Sequence, residues 1–138
     1  MSGVSDFNRG IIEEFRANEG RVGGPFAGAP LLLLHSTGAR SGQARVNPMV
    51  YQRIGPRAIA VFASKGGAPH NPDWYYNLLA HPAATVEIGT ESLAVRARVP
   101  DAAERAPIWE KQKADFPGFA DYERKTSRVI PVVVLEQV

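Results

Sequence analysis

Apolar positions along this chain follow two periods. From Val4 to Phe15 the residues Val4, Phe7, Ile11, Ile12 and Phe15 recur at helical spacing, with Ser5 or Asp6 available as N-cap. They predict an amphipathic N-terminal helix over about residues 4–18. The glycine-rich stretch Gly20 to Ala29 ends it as a loop. Pro30 to Ser36, Arg45 to Arg53 and Arg57 to Ala63 are strand-like runs separated by turn material at Thr37 to Ala44 and at Gly55-Pro56, and they predict an antiparallel meander. Pro48 lies inside the second run and cannot donate to a ladder, so that strand has an edge, a bulge or a kink there.

Ser64 to Pro69 reads as a loop. After it, Asn71 is a good N-cap, Pro72 fits the first helical position and Asp73 suits the positive end of the helix dipole, in a helix running to about Ala80 and stopped by His81-Pro82. Thr85 to Ile88 and Leu93 to Val99 form a hairpin turned by Gly89-Thr90, in which Val95, Ala97 and Val99 alternate with Arg96 and Arg98. Asp101 caps a helix to about Lys113. Pro117-Gly118 breaks the chain, and a short helix from Phe119 to Lys125 leads into a strand from Ile130 to Leu135. Six short strands with helices inserted between them, not strictly alternating, predict an α+β fold that is mainly β. The expected architecture is a small antiparallel barrel with flanking helices, as one domain over residues 1–138.

Composition narrows the chemistry. The chain contains no Cys, which excludes disulfides, thiolate nucleophiles and Cys-held zinc or iron–sulfur centres. The apolar run Leu31 to Leu34 is far too short to span a bilayer and no signal-peptide pattern opens the chain, so a cytoplasmic protein is expected. Net charge is only +2, but between Gly20 and Pro72 there is no Asp or Glu, while Arg21, Arg40, Arg45, Arg53, Arg57 and Lys65 all fall there. The other ten basic residues and all 14 acidic ones lie outside that segment. Such asymmetry points to an anionic partner for the acid-free part.

Two loops in that part carry suitable groups. Thr37-Gly38-Ala39-Arg40-Ser41-Gly42-Gln43-Ala44-Arg45 offers two guanidiniums, two hydroxyls and glycines that let backbone approach a ligand, materials for binding phosphate or carboxylate oxygens. Read alone, it is also a hairpin turn with surface arginines. It matches neither a Walker loop nor a dinucleotide fingerprint. Ser64-Lys65-Gly66-Gly67 follows a strand and precedes a helix start, so a lysine and backbone N–H groups converge near a positive dipole end, unless the glycines merely turn the chain. Trp74, Tyr75, Tyr76, Leu78 and Leu79 make the next helix apolar on more than one face, some for the core and some available to wall a flat ring. His35, His70 and His81 have no metal-ligand spacing, and no serine-hydrolase elbow exists. An anion-anchored cofactor with its own reactivity suits these residues better than side-chain acid–base chemistry.

The segments Thr37 to Pro48, Ala63-Ser64-Lys65-Gly66-Gly67, Asn71-Pro72-Asp73-Trp74-Tyr75-Tyr76-Asn77-Leu78 and Arg128-Val129-Ile130-Pro131-Val132-Val133, in that order, resemble the deazaflavin-dependent nitroreductase and quinone reductase family. Its members are flavin-reductase-like split β-barrels that use coenzyme F420, an 8-hydroxy-5-deazaflavin with a phosphate and an oligoglutamate tail. The resemblance implies that Ala39, Arg40, Ser41, Arg45, Val46, Asn47, Pro48, Met49 and Val50 lie along the cofactor. It also implies that Phe62, Ala63, Ser64 and Lys65 approach its ring and phosphate and that Asp73, Trp74, Tyr75, Tyr76 and Asn77 complete the site. Phe116, Phe119 and Tyr122 match the substrate-lining region, with Ser64 and Tyr122 as candidates for a catalytic role. The chain departs from the pattern at Ala39, where relatives often carry a second basic residue, and at Phe116 and Phe119, where they often have Tyr.

The expected activity is hydride transfer from reduced F420 to a quinone, nitroaromatic or activated enone. An FMN-dependent split-barrel reductase and a non-catalytic deazaflavin-binding protein are the alternatives, with FMN the less expected cofactor. A nucleic-acid partner is not expected, because the whole-chain excess is small and no recognition motif is present. Peripheral membrane contact through the N-terminal helix stays an option, and the oligomeric state is open.

Overall fold

The computed structural model describes residues 6–23 and 29–138. Val4 and Ser5 of the expected first helix and part of its following loop lie outside the described residues. Helix α1 spans Asp6–Ala17, β1 Leu31–Thr37, β2 Ala44–Gly55 and β3 Ala58–Phe62; a short 3-10 turn at Lys65–Gly67 precedes α2, Asp73–Ala80. Then come β4 Ala83–Ile88, β5 Glu91–Arg98, α3 Ala102–Asp115, α4 Gly118–Lys125 and β6 Val132–Gln137. The strands close into an antiparallel barrel in the order β1-β2-β3-β6-β5-β4, with each strand bonded to the next and β4 returning to β1.

The barrel interior is filled by Leu32 and Leu34 of β1, Ile59 and Val61 of β3, Val86 of β4, Val95 of β5 and Val133 and Leu135 of β6. Trp74 and Leu78 of α2 join this cluster. β1, β3 and β6 read as unbroken apolar runs because helices cover their other face, so both sides of each strand are buried. Ala60, Phe62, Val132 and Val134 point outward and pack under Ile108 and Trp109 of α3. Leu31 and Leu33 point outward under Ile11, Ile12 and Phe15 of α1. The hydroxyl-free run Leu31 to Leu34 therefore serves two cores at once.

β2 is shared between neighbours. Its first part, Ala44 to Val50, pairs with β1, and only from Tyr51 onward does it pair with β3. Pro48 faces Leu33 in continuous register, before β3 joins on the other side, so of the three options it sits at an edge. The register shift falls at Arg53/Gly55 instead.

Long-range polar contacts fix the helices. Arg16 Nη2 donates to Glu87 Oε2 at 2.7 Å, and His35 bonds the same carboxylate, joining α1, β1 and β4. The Arg16 guanidinium holds the Glu87 carboxyl below its ordinary value, with His35 acting in the same direction against partial burial. Asp101 caps α3 as expected, its carboxylate accepting from the Glu104 N–H at 2.9 Å. Trp109 Nε1 donates to Glu123 Oε2 at 2.5 Å, tying α3 to α4.

Several strand boundaries differ from expectation by one or two residues, and two of them have a plain cause or consequence. β6 begins at Val132, two residues late, because Pro131 cannot enter the ladder with an N–H, although Ile130 is still buried. Val99 falls past the end of β5 and is 53% exposed, so it does not continue the inward alternation of Val95 and Ala97. Among the described residues no helix is long and apolar enough to cross a membrane.

Candidate functional site

The β1–β2 connection folds back on itself. Gly38 N–H donates to Gln43 C=O at 2.8 Å, Gly42 N–H to Gly38 C=O at 3.0 Å, and Gln43 N–H to Ser41 Oγ at 3.1 Å. A Cβ at Gly38 would lie 2.5 Å from Ser41 Oγ and push that hydroxyl out of its bond with the Gln43 N–H. Gly42 turns the chain at a φ of +69°, which only glycine adopts at little cost. This compact loop is tied to α2 by Asn77, whose buried side-chain Oδ1 accepts from the Ala39 N–H at 2.9 Å.

Between loop and helix lies a cavity of about 560 Å³, lined by Gly38, Ala39, Arg40 and Ser41, by Arg45, Val46 and Asn47 at the start of β2, and by Asp73, Trp74, Tyr76 and Asn77 of α2. Arg45 Nη1 donates to Gln43 Oε1 at 3.1 Å, which steadies its guanidinium at the mouth of the strand. Two guanidiniums face a single carboxylate, so the lining has a net positive charge suited to a polyanion. Trp74 is buried against the barrel interior, whereas Tyr76 is half exposed and packs edge-on against Tyr75.

The remaining residues implicated by sequence divide into groups. Met49 packs toward the barrel interior and Val50 under α1, while Pro48 continues the strand beyond the cavity. Phe62 points away, with its ring 6.0 Å from Trp109 and 5.6 Å from Phe119 in the cluster under α3 and α4. Period-two alternation makes this unavoidable once Val61 and Ala63 face inward. Ser64 is buried at the end of β3. Lys65 does not line the cavity; its Nζ donates to His70 Nε2 at 2.9 Å, so the two basic loops do not share one set of walls.

The aromatic trio also separates. Phe119 and Tyr122 stack edge-on at 5.3 Å beside Phe62, and the backbone of Tyr122 backs the Lys65–Gly67 turn: a Cβ on Gly67 would fall 2.9 Å from the Tyr122 carbonyl oxygen. Phe116 lines a different groove, of about 410 Å³, with Pro30, Tyr51, Gln52 and Gln112. Tyr51 stands four residues along β2 from Asn47, about 13 Å at the usual strand rise, so Phe116 is remote from the cavity.

The densest polar contacts belong to Arg128, which opens the C-terminal motif and carries no expected role, and they reach Asn71. Asn71, expected to cap α2, does not: Pro72 occupies the cap position with no side-chain bond. Instead Asn71 Oδ1 accepts from Arg128 Nη1 at 2.7 Å, and its Nδ2 donates to Tyr76 Oη at 3.2 Å. A charged donor outbids a backbone N–H for the amide oxygen. The same guanidinium donates to three carbonyls of the segment from Ala63 to Ala68. No acid-pairing signal marks it, since Glu123, five residues earlier, bonds Trp109 and Lys113 instead.

A closed six-stranded antiparallel barrel with helices over its outer faces is the fold of the flavin-reductase-like split-barrel class. A pyridoxamine 5'-phosphate oxidase from Listeria innocua shares the fold at 12% identity, with a TM-score of 0.55 over 96% of this chain and 94% of that one. Within the class, residues 7–137 match the F420H(2)-dependent quinone reductase family. An F420H(2)-dependent quinone reductase of Mycobacterium tuberculosis is 39% identical over 125 residues, covering 88% of this chain and 83% of that protein. A solved F420-H2 dependent reductase, FDR-A, aligns at a TM-score of 0.70 and 37% identity over 78% of this chain and 94% of that one. The chain belongs to the F420H(2)-dependent quinone reductase family. It is an enzyme of that type, with coenzyme F420 as cofactor and a small-molecule quinone as acceptor.

Proposed function

We propose that the 560 Å³ cavity holds coenzyme F420, with its anionic tail on Arg40, Ser41 and Arg45 and its ring system toward Tyr76. One observation carries this reading: a guanidinium and a hydroxyl sit on a loop that Asn77 pins to the helix forming the opposite wall, with a second guanidinium where that loop enters β2. The donor set fits the group, since guanidiniums bind phosphate and carboxylate oxygens in bidentate fashion. The acid-free segment from Gly20 to Pro72 then has a cause, because a carboxylate there would repel the tail.

When bound, the reduced deazaflavin supplies a hydride to the quinone. The protein's part is positioning and electrostatics. Arg40 and Arg45 neutralise the tail and fix the register of the ring against α2. We assign Ser64 to the reacting end, as a hydroxyl available for delivering the proton that accompanies the hydride, and place the acceptor on the side of Tyr122, Phe119 being packed in the cluster under α3 and α4. Phe116 lies outside that assignment. The chain acts as one catalytic domain.

The test is titration with F420, followed by its fluorescence, in the parent and in Arg40→Ala. Loss of a charge-assisted contact is expected to weaken binding by about 1.5–3 kcal/mol, roughly ten- to a hundredfold in Kd. Parent-like binding by Arg40→Ala sinks the assignment.

A further inference from the structure

The Arg128 guanidinium makes four hydrogen bonds, and every one goes to the segment between β3 and α2. Nε donates to Ala68 C=O at 3.0 Å, Nη1 to Ala63 C=O at 3.2 Å and to Asn71 Oδ1 at 2.7 Å, and Nη2 to Ser64 C=O at 2.9 Å. Ala63 and Ala68 bracket the turn that carries Ser64 and Lys65, so one planar fork clamps both of its ends. Lys65 stands at a φ of +47°, a conformation a non-glycine residue keeps only when its surroundings impose it. The turn's other side is closed by α4, which leaves no room for a Cβ at Gly67.

The second arm of the clamp reaches the cavity. Arg128 holds Asn71 by its oxygen, which leaves the Asn71 amide nitrogen aimed at Tyr76 Oη, and Tyr76 lines the cavity wall. No carboxylate pairs with Arg128 among the described residues, so its charge is met by carbonyl dipoles alone. A lysine offers neither the planar fork nor enough directed donors to replace it.

We propose that Arg128 is the positioning residue of the F420 site, setting the Ser64–Lys65 turn and, through Asn71, the Tyr76 side chain in one geometry. It touches neither cofactor nor acceptor. The proposal rests on the cavity being the F420 site, and the experiment separates the two.

F420 binding is measured by fluorescence over a range of salt concentrations, alongside thermal melting and steady-state kinetics with a soluble quinone. Arg128→Gln is expected to raise Kd about tenfold or more while keeping the parent's salt dependence, because the lost charge does not contact the anion. kcat should fall with KM for the quinone unchanged, since the acceptor's own contacts are intact. Arg128→Lys should behave like Arg128→Gln; rescue by lysine would show that charge, not the fork, matters, and would overturn the proposal. A salt dependence reduced as in Arg40→Ala makes Arg128 a direct anion contact, and a Kd within about twofold of the parent makes it structural only. Either result overturns it. If Arg128→Gln does not fold, Asn71→Ala leaves three of the four bonds in place and frees Tyr76; a several-fold rise in Kd at unchanged salt dependence supports the proposal, and an unchanged Kd overturns it. A parent that fails to bind F420, or an Arg40→Ala variant that binds like the parent, removes the cavity reading itself.

Discussion

Asn77 offers a way to separate the architecture of the cavity from its electrostatics. Its side chain is 7% exposed and its Oδ1 is the acceptor for the Ala39 N–H, so the β1–β2 loop hangs on one bond of 2.9 Å. In Asn77→Ala that bond goes, but Ala39 is exposed and water replaces the acceptor, so the loss should stay near the ordinary net value of about 1 kcal/mol. The loop loosens, and F420 affinity should fall a few-fold at any salt concentration. Asn77→Asp preserves the size and the accepting oxygen but places a negative charge in the lining. At about 8 Å from a bound anion, with an effective dielectric of about 40, the repulsion is about 1 kcal/mol, or roughly sixfold in Kd. That term should fade between about 0.02 M and about 0.5 M salt, as the Debye length shrinks through about 10 Å. The assay is F420 fluorescence titration of parent and both variants at the two salt concentrations, with melting curves to confirm folding. Parent-like binding of Asn77→Asp at low salt would mean that no anion occupies the cavity, and the electrostatic argument would fail.

Two further predictions concern the frame around the site. Glu87 has a lowered pKa in the folded state, so its contribution is present above its ordinary value of 4.5 and is lost as pH falls through the folded value. Parent stability, followed by thermal melting, should decline below about pH 5, and Glu87→Gln should be less stable at neutral pH but flatter across the acid range; parallel profiles would remove the Arg16–Glu87–His35 contact as a cause. Gly67→Ala should cost more than Gly42→Ala in denaturant midpoint. Both have positive φ, but only at Gly67 does the new Cβ meet neighbours, at 2.9 Å from Lys125 Cβ and from the Tyr122 carbonyl oxygen, whereas nothing lies within 4 Å of Gly42. Equal losses would mean that α4 does not pack tightly on the turn.

What the sequence made legible, and what it hid, follows from the range of each interaction. The strands at Leu31, Arg45, Ala58 and Thr85 and the Asp101 cap were readable because alternation, turn residues and capping are decided within a few positions. The cavity lining was readable too, because Arg40, Ser41 and Arg45 lie within six residues at the β1–β2 turn, and Asp73, Trp74, Tyr76 and Asn77 lie on one helix; Tyr75 of the same helix faces elsewhere. The Phe62 ring departs from expectation by a single step of strand alternation: Ala63 and Val61 face inward, so it packs on Trp109 and Phe119. Asn71 was misread for a different reason. Its local role as a cap lost to a charged donor 57 residues away. Sequence reading pairs cations with acids, and Arg98 with Glu104 can be found that way. Arg128 pairs with carbonyl oxygens, which every residue carries, so its position leaves no compositional trace. The Ser64–Lys65 turn that it clamps has an unusual backbone at Lys65 that no propensity of lysine would suggest. A charged fork aimed at main-chain acceptors thus does its work where pattern is silent.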